Sequence, residues 1–380
     1  MPFRSSSITW LALIVVACGG LSACSSLSKM GDSVSDAWGK LWSGHKHEPV
    51  AIARTDAALA EAVAAPATEV ADKPPELFTP VEPRENVLSY WETITGGFAG
   101  SGNRVRRTVD VVTGGDFIKL EQPTAIAVRG DYLYIVDVGL NEVLRYNRVS
   151  QRIERLIELS GLVTSDVADI YVTPDLRIYI ADTYGSRVLG FDDRGKKKVE
   201  FKNKLNLVRP VAITEEESSG HILVADGEFD HVLSFTPQGE LLSAAGGRGN
   251  EPGKFLSITT MVRSADTYYV GARVGQRIQA LTANGDYLYS FPQDTVVFPT
   301  AMAADDEFRL FVGDYMDNTI KVYERGRFLT SMGGNGVGPG SFKRVTDLWV
   351  DNDLLYVVDS LNSRIQVLKI APAAPLILEQ

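Results

Sequence analysis

Cysteine and histidine are scarce in this chain of 380 residues, which has two Cys and four His. So few cysteines exclude a disulfide-stabilised scaffold and any cysteine-rich zinc or iron–sulfur site, and four histidines leave little material for a His-built metal centre. Basic residues are outnumbered, 38 Lys plus Arg against 48 Asp plus Glu, and the net charge of −10 argues against a nucleic-acid-binding surface. A hydrophobic fraction of 44% is nevertheless enough to build a globular core.

The N-terminus has the pattern of an export signal. Arg4 precedes an apolar run from Ile8 to Leu21 that is too short for a membrane span, which needs about 20 apolar residues. The following Leu21-Ser22-Ala23-Cys24 resembles the bacterial lipoprotein box. That resemblance implies cleavage after residue 23 and lipid attachment at Cys24. Because Ser25 rather than Asp follows, it also implies sorting to the outer membrane, where the protein faces the periplasm or, as the alternative, the cell surface. An ordinary signal peptide with a stray cysteine is the alternative.

Two further segments precede the globular part. Residues 24–47 carry apolar side chains at helical spacing, which predicts a short amphipathic helix that lies in the lipid headgroups or packs on the globular domain. The apolar positions are Leu27, Met30, Val34, Trp38, Leu41 and Trp42. Residues 48–104 are rich in Pro and Ala, so we interpret them as a flexible tether and lead-in.

A repeat of about 44 residues follows. Six segments align in which a turn position is followed six residues later by Val or Ile, and the turn positions are 42 to 46 residues apart. These positions are Asp137, Asp182, Asp226, Ala272, Asp314 and Asp359. Four short strands per unit of this length are typical of β-propeller blades.

The repeat resembles the NHL repeat: a strand, an acidic turn and a β-branched strand, with glycine-rich returns such as residues 246–255. The resemblance implies an all-β, six-bladed propeller over residues 105–370, with 371–380 as a C-terminal tail. The last repeat lacks a fourth strand, so we expect residues 105–112 to complete the sixth blade and leave no open sheet edge.

The repeats contain few residues with catalytic potential. The five turn aspartates are expected to accept backbone N–H bonds in their own turns. Charged residues next to the turns form a candidate rim for an anionic ligand, unless they pair with neighbouring acids; these are Arg187, His231, Arg277 and Arg364. Asp169 and Asp347 occupy equivalent positions near the channel mouth, where they either hold a cation such as Ca²⁺ or play a structural part.

No nucleophile elbow, zinc-binding helix or phosphate-binding loop occurs in the sequence. We therefore predict a lipid-anchored envelope protein whose propeller is a non-enzymatic scaffold for a protein or polysaccharide partner. No cofactor, no nucleic acid and no obligate oligomer are expected. The alternative is a divalent-cation-dependent hydrolase or lyase with its site in the propeller channel.

Overall fold

The computed structural model describes residues 86–100, 116–163, 167–202, 206–275, 278–292 and 295–373. The predicted signal, Cys24, the amphipathic segment and most of the tether lie outside these residues. The described part confirms the all-β, six-bladed propeller: six antiparallel sheets, each with four strands that follow the blade pattern. Its helical content is a single 3₁₀ turn, Ser360–Asn362, and none of its helices has the length and apolarity needed to cross a membrane.

Twenty-six strands build the sheets of the described residues. Three precede the first repeat: β1 (Leu88–Ile94), β2 (Gly96–Ala99) and β3 (Phe117–Lys119). The first blade has β4 (Pro123–Arg129), β5 (Tyr132–Asp137), β6 (Glu142–Asn147) and β7 (Arg152–Glu158), and the second has β8 (Val167–Val172), β9 (Ile178–Asp182), β10 (Arg187–Phe191) and β11 (Lys197–Phe201). The third has β12 (Pro210–Glu216), β13 (His221–Asp226), β14 (His231–Phe235) and β15 (Leu241–Gly246).

The fourth blade has β16 (Leu256–Ser264), β17 (Thr267–Val274), β18 (Ile278–Thr282) and β19 (Tyr287–Ser290). The fifth has β20 (Pro299–Ala304), β21 (Arg309–Asp314), β22 (Thr319–Glu324) and β23 (Arg327–Gly333). The sixth combines β24 (Val345–Asp351), β25 (Leu354–Asp359) and β26 (Arg364–Ile370) with β1. In every blade the first strand lines the central channel and the fourth lies farthest from it among the four; in the first blade, β2 and β3 extend the sheet beyond the fourth strand.

An N-terminal strand closes the ring, as expected, but the predicted segment was wrong. Strand β1 pairs antiparallel with β26, with Leu88 opposite Ile370 and Ile94 opposite Ile365. Residues 105–112 lie outside the described residues, and the propeller begins within the segment assigned to the tether. Leu88 and Ile94 are buried against the neighbouring blades, and this burial selects β1 for the closing position.

The first blade is wider than the others. Strand β2 pairs in parallel with β7, and β3 pairs antiparallel with β2, which extends this sheet to six strands. The hydrophobic core is distributed among the gaps between blades. The second strands are almost wholly buried, as in β9 and β25, because both of their faces pack against adjacent blades.

Candidate functional sites in the channel and on the upper face

The turn aspartates connect the turn between the second and third strands of a blade to the start of the same blade's inner strand. We call the face that carries the turns between second and third strands the upper face; the connections between blades lie there too. Asp137 is fully buried and accepts N–H bonds from Leu140 in its own turn and from Glu121 and Gln122, at 2.8–3.1 Å. The carboxylate therefore joins the turn to the connector that leads into β4, a wider role than the sequence predicts.

The other turn aspartates follow this pattern with small variations. Each is fully buried, and three of them likewise accept N–H bonds from the residues just before the first strand of their blade: Asp226, Asp314 and Asp359. Asp182 accepts the N–H of Gly185 in its own turn at 3.0 Å and also binds the Arg187 guanidinium.

The fourth blade has Ala272 at the turn position, and its inner strand is instead held by an aspartate of the third blade. Asp230 of the third blade is buried and accepts the backbone N–H of Ile258 at 2.8 Å. Its backbone is left-handed, with φ of 61°, a conformation that Asp and Asn tolerate better than most residues. Sequence reasoning missed Asp230 because it lies four residues beyond the aligned position.

The predicted rim residues are engaged within the fold. Arg187 pairs with Asp182 at 2.8 Å and with Glu200 at 3.2 Å, and Arg364 pairs with Asp359 at 2.8 Å. Arg364 also donates to three backbone carbonyls of the connector before the sixth blade. The Nε2 atom of His231 lies 2.6 Å from the carbonyl oxygen of Asn206, and Arg277 lies outside the described residues. The described arginines of this set therefore stabilise turns and do not present free charge.

The two channel aspartates bridge neighbouring blades. Asp169 of the second blade accepts the backbone N–H of Ile213 in the third at 2.7 Å, and Asp347 of the sixth accepts that of Ile126 in the first at 2.7 Å. The second oxygen of each carboxylate accepts the N–H of the following residue. Every carboxylate oxygen of the pair thus has a backbone donor before any ligand is considered.

Burial in the channel changes the protonation of this pair. Desolvation raises the pKa of Asp169 to about 7, although its backbone donors oppose the shift. Desolvation also raises the pKa of Asp347 well above its usual range, and the negative charge of Asp169 adds to that rise. The two carboxyls therefore repel each other across the channel, and ionisation of both costs free energy.

Threonine hydroxyls bridge other pairs of blades in the same way. The hydroxyls of Thr124, Thr259 and Thr300 each donate a hydrogen bond to a backbone carbonyl oxygen of the next blade. In each case the acceptor belongs to the first residue of that blade's inner strand. Strand pairing shows that Thr260 of the fourth blade is at the position equivalent to that of Asp169 in the second blade. Thr346 carries a buried hydroxyl that has no hydrogen-bond partner in the described part of the chain.

A cavity of about 430 Å³ occupies the channel. Its walls include Asp169 and Asp347, with Arg209 towards the upper face and with Arg129 and Arg263 towards the lower face. The described residues contain no group of three His, Cys, Asp or Glu side chains placed to hold a metal ion.

The upper face exposes hydrophobic side chains at nearly every turn, a feature that sequence reasoning missed. Blades two to six each present at least one large apolar residue on the turn between second and third strands. These are Tyr184 (71% exposed), Phe229 (44%), Val274 (50%), Tyr315 (40%), Met316 (61%) and Leu361 (54%). Val297 and Val337 on blade connectors are also exposed on this face.

Arginines and aromatic rings alternate beside these turns. The Arg273 guanidinium lies 5.1 Å from the ring centre of Phe298, which lies 5.3 Å from that of Tyr315. Arg344 covers the same Tyr315 ring at 5.2 Å. Cation–π contacts of this kind hold the long arginine side chains in place on the upper face.

Comparison with known proteins supports the fold. A family model described as a 6-bladed beta-propeller matches residues 303–368, which include the fifth and sixth repeats. A search of curated proteins returned no match.

Several solved structures share the architecture at low identity. A streptogramin B lyase aligns with a TM-score of 0.52 at 14% identity, over 67% of this chain and 95% of its own. An inactive variant of virginiamycin B lyase from Staphylococcus aureus, with a histidine replaced by alanine and with quinupristin, aligns at 0.51 and 15%, over 66% and 95%. A protein of unknown function from Bacteroides thetaiotaomicron aligns at 0.54 and 13%, over 74% and 75%. At such identities the likeness shows a shared fold alone.

Proposed function

We propose that this chain is a lipid-anchored envelope protein whose propeller is a non-enzymatic scaffold that binds a partner protein on its upper face. The observation that carries the proposal is the set of exposed apolar side chains on the turns of blades two to six, which we call the apolar ring. It comprises Tyr184, Phe229, Val274, Tyr315, Met316 and Leu361. Groups of exposed apolar side chains on one face are typical of protein-binding surfaces.

The apolar ring distinguishes the upper face from the lower one. On the lower face, the turns expose four large hydrophobic residues among those described: Tyr132, Val149, Leu176 and Phe308. The upper face exposes twice as many, namely the six of the apolar ring together with Val297 and Val337. Because these five turns project from one rigid ring, they present the apolar side chains at fixed spacing.

The composition of the upper face favours a protein over a polysaccharide. Protein interfaces are enriched in Tyr, Phe, Met and Arg, and the apolar ring adds such side chains to the nearby Arg273 and Arg344. Sugar rings stack best on flat aromatic faces, whereas Met316, Val274 and Leu361 are aliphatic or flexible. These residues suit the irregular apolar surface of a protein.

The described histidines lie away from the channel. The described residues that line the channel of this chain include no histidine. His231 lies on an upper-face turn, and His221 lies in a groove between the third and fourth blades.

The anchor supplies the location in this proposal. Lipid attached at Cys24 holds the chain in the outer membrane, and the segment between Cys24 and β1 gives the propeller reach into the periplasm. We expect a Cys24→Ser protein to fractionate as a soluble exported protein. Retention in the membrane fraction would contradict lipid anchoring, without bearing on the apolar ring.

The binding proposal is tested by co-purification from crosslinked cell envelopes. The variant is Tyr184→Ser/Met316→Ser/Leu361→Ser, and the control is Leu176→Ser/Phe308→Ser on the lower face. We expect the first variant to lose a partner that the unaltered protein and the control retain, with the thermal midpoint of unfolding unchanged. Equal recovery by all three proteins would overturn the assignment to the upper face.

A further inference from the structure

The lower end of the channel contains an arginine that is fixed in place by neutral groups. Arg129, at the end of β4, donates from Nε to the carbonyl oxygen of Val172 at 2.6 Å and from Nη2 to the Tyr171 hydroxyl at 3.1 Å. Its guanidinium also lies 5.5 Å from the ring centre of Tyr171 and 5.6 Å from that of Trp349. These rings belong to the two neighbouring blades, so three blades hold Arg129 in one orientation.

Among the residues that the structure describes, Arg129 is half-buried and donates hydrogen bonds to neutral acceptors, while the charges of Glu215 and Glu217 act on it without a direct ion pair. The other arginine at this end, Arg263, pairs with Glu217 at 2.7 Å. Arginine forks match carboxylates and phosphates well. Because no carboxylate binds Arg129 directly, the geometry leaves its guanidinium able to donate to an external anion.

The space in front of Arg129 suits a small organic molecule. The channel cavity of about 430 Å³ falls in the size range of ligand pockets. Its wall combines polar and apolar side chains, and the apolar ones include Met261, Met302, Leu348, Trp349 and Val350. A ligand that fits this cavity has one anionic group and an apolar body.

We propose that the lower end of the channel binds a small organic monocarboxylate through Arg129, with the apolar body of the ligand extending into the channel. The surrounding acids select a single negative charge over the two of a phosphate ester. Glu215 and Glu217 lie near this end, and Asp169 and Asp347 lie further along the same channel. A doubly charged group would meet repulsion from the carboxylates of Glu215 and Glu217 that one guanidinium does not offset.

Three ligands of matched shape test this proposal by isothermal titration calorimetry on the full chain carrying Cys24→Ser. The probes are phenylpropionate, phenylpropanol and phenylpropyl phosphate. We expect phenylpropionate to bind at least tenfold more tightly than either of the others. Equal affinities for the acid and the alcohol, tighter binding of the phosphate, or no binding of the acid would each overturn the proposal.

Two arginine variants locate the site. Arg129→Gln is expected to reduce phenylpropionate affinity at least tenfold, to the level of the alcohol. Arg155→Gln is the control, because Arg155 is exposed in the first blade and pairs with Glu142 on the upper face. Unchanged affinity in Arg129→Gln would contradict the assignment. If that protein does not fold, the comparison of the three ligands on the unaltered arginine still decides the matter.

Discussion

Asp347 of the sixth blade accepts a hydrogen bond of 2.7 Å from the backbone N–H of Ile126 in the first blade, 221 residues earlier in the chain. This bond crosses the point where the ring closes, on the channel side, while strand β1 closes the same blade at its outer edge. Asp169 makes the equivalent bond between the second and third blades. The two ends of the propeller are therefore joined at both its inner and its outer radius.

The first prediction concerns pH. Because burial raises the pKa of Asp169 to about 7 from an unfolded value near 3.8, the folded protein binds this proton more tightly than the unfolded chain does. The associated stability is present in full at low pH and is lost as pH rises through about 7. We expect the free energy of unfolding, measured with urea, to fall by on the order of 2–3 kcal/mol between about pH 5 and pH 8.

Asp169→Asn is expected to reduce this fall, because the amide stays neutral throughout and no longer repels Asp347. Asp193→Asn, an exposed change in the second blade, is the matched control and should leave the fall intact. A free energy of unfolding that rises between these pH values, or an equal fall in Asp169→Asn, would contradict the coupling of the two channel carboxyls.

The second prediction concerns the closing strand. Ile94 is buried between the sixth and first blades, so Ile94→Ala removes apolar contacts and leaves a cavity that costs about 2–4 kcal/mol. The comparison is Val111→Ala, in the segment for which the sequence predicted this role. Urea unfolding should show a smaller loss for Val111→Ala, and the reverse order would reinstate the sequence-based assignment.

The third prediction concerns the turn aspartates. Asp226→Ala leaves four backbone N–H groups without their acceptor, those of Val208, Arg209, Glu228 and Phe229. We expect a loss of about 3 kcal/mol or more in the free energy of unfolding, since each buried donor left unpaired is costly. Asp266→Ala, in an exposed turn of the fourth blade, should change stability by less than about 0.5 kcal/mol. Equal losses of stability in the two variants would contradict the proposed role of Asp226 in holding its turn to the connector.

The fourth prediction separates stability from binding on the predicted rim. Arg364→Met keeps much of the apolar stem but leaves buried Asp359 without its cation, which costs about 3 kcal/mol or more. Arg155→Met breaks an exposed pair with Glu142 and should cost less than about 1 kcal/mol. Calorimetric unfolding measures both. If Arg364→Met were as stable as the unaltered protein, Arg364 would again be a candidate for ligand binding.

Local chemistry explains why the fold was predictable from sequence. Five of the six turns place Asp and a β-branched residue at constant spacing, as with Asp137 and Val143, because the turn and the strand after it are formed by neighbouring residues. The closing strand was not predictable in this way. Its partner, β26, lies more than 270 residues away, and two segments carried suitable apolar residues, so only packing decided between them.

The candidate sites depend on exposure and on distant partners, which the pattern of residue types does not contain. The sequence predicts Arg364 as a ligand-binding residue of the rim. In the structure, the carbonyl oxygens of Val337 and Ser341 in the connector accept its hydrogen bonds instead. The exposure of Met316 and Leu361 was not predictable from the sequence, because apolar residues in strand-rich repeats are normally buried. Their exposure on one face emerges only when the turns are assembled into a ring.

The most direct test of the upper-face proposal is position-specific photo-crosslinking in intact cells. A photoreactive amino acid replaces Tyr184 or Leu361 on the apolar ring, or Leu176 or Phe308 on the lower face, where the side chains are also exposed. We predict one discrete protein adduct from both upper-face positions and none from the lower-face positions. Adducts from the lower face alone, or none from any position in correctly folded protein, would contradict the proposal.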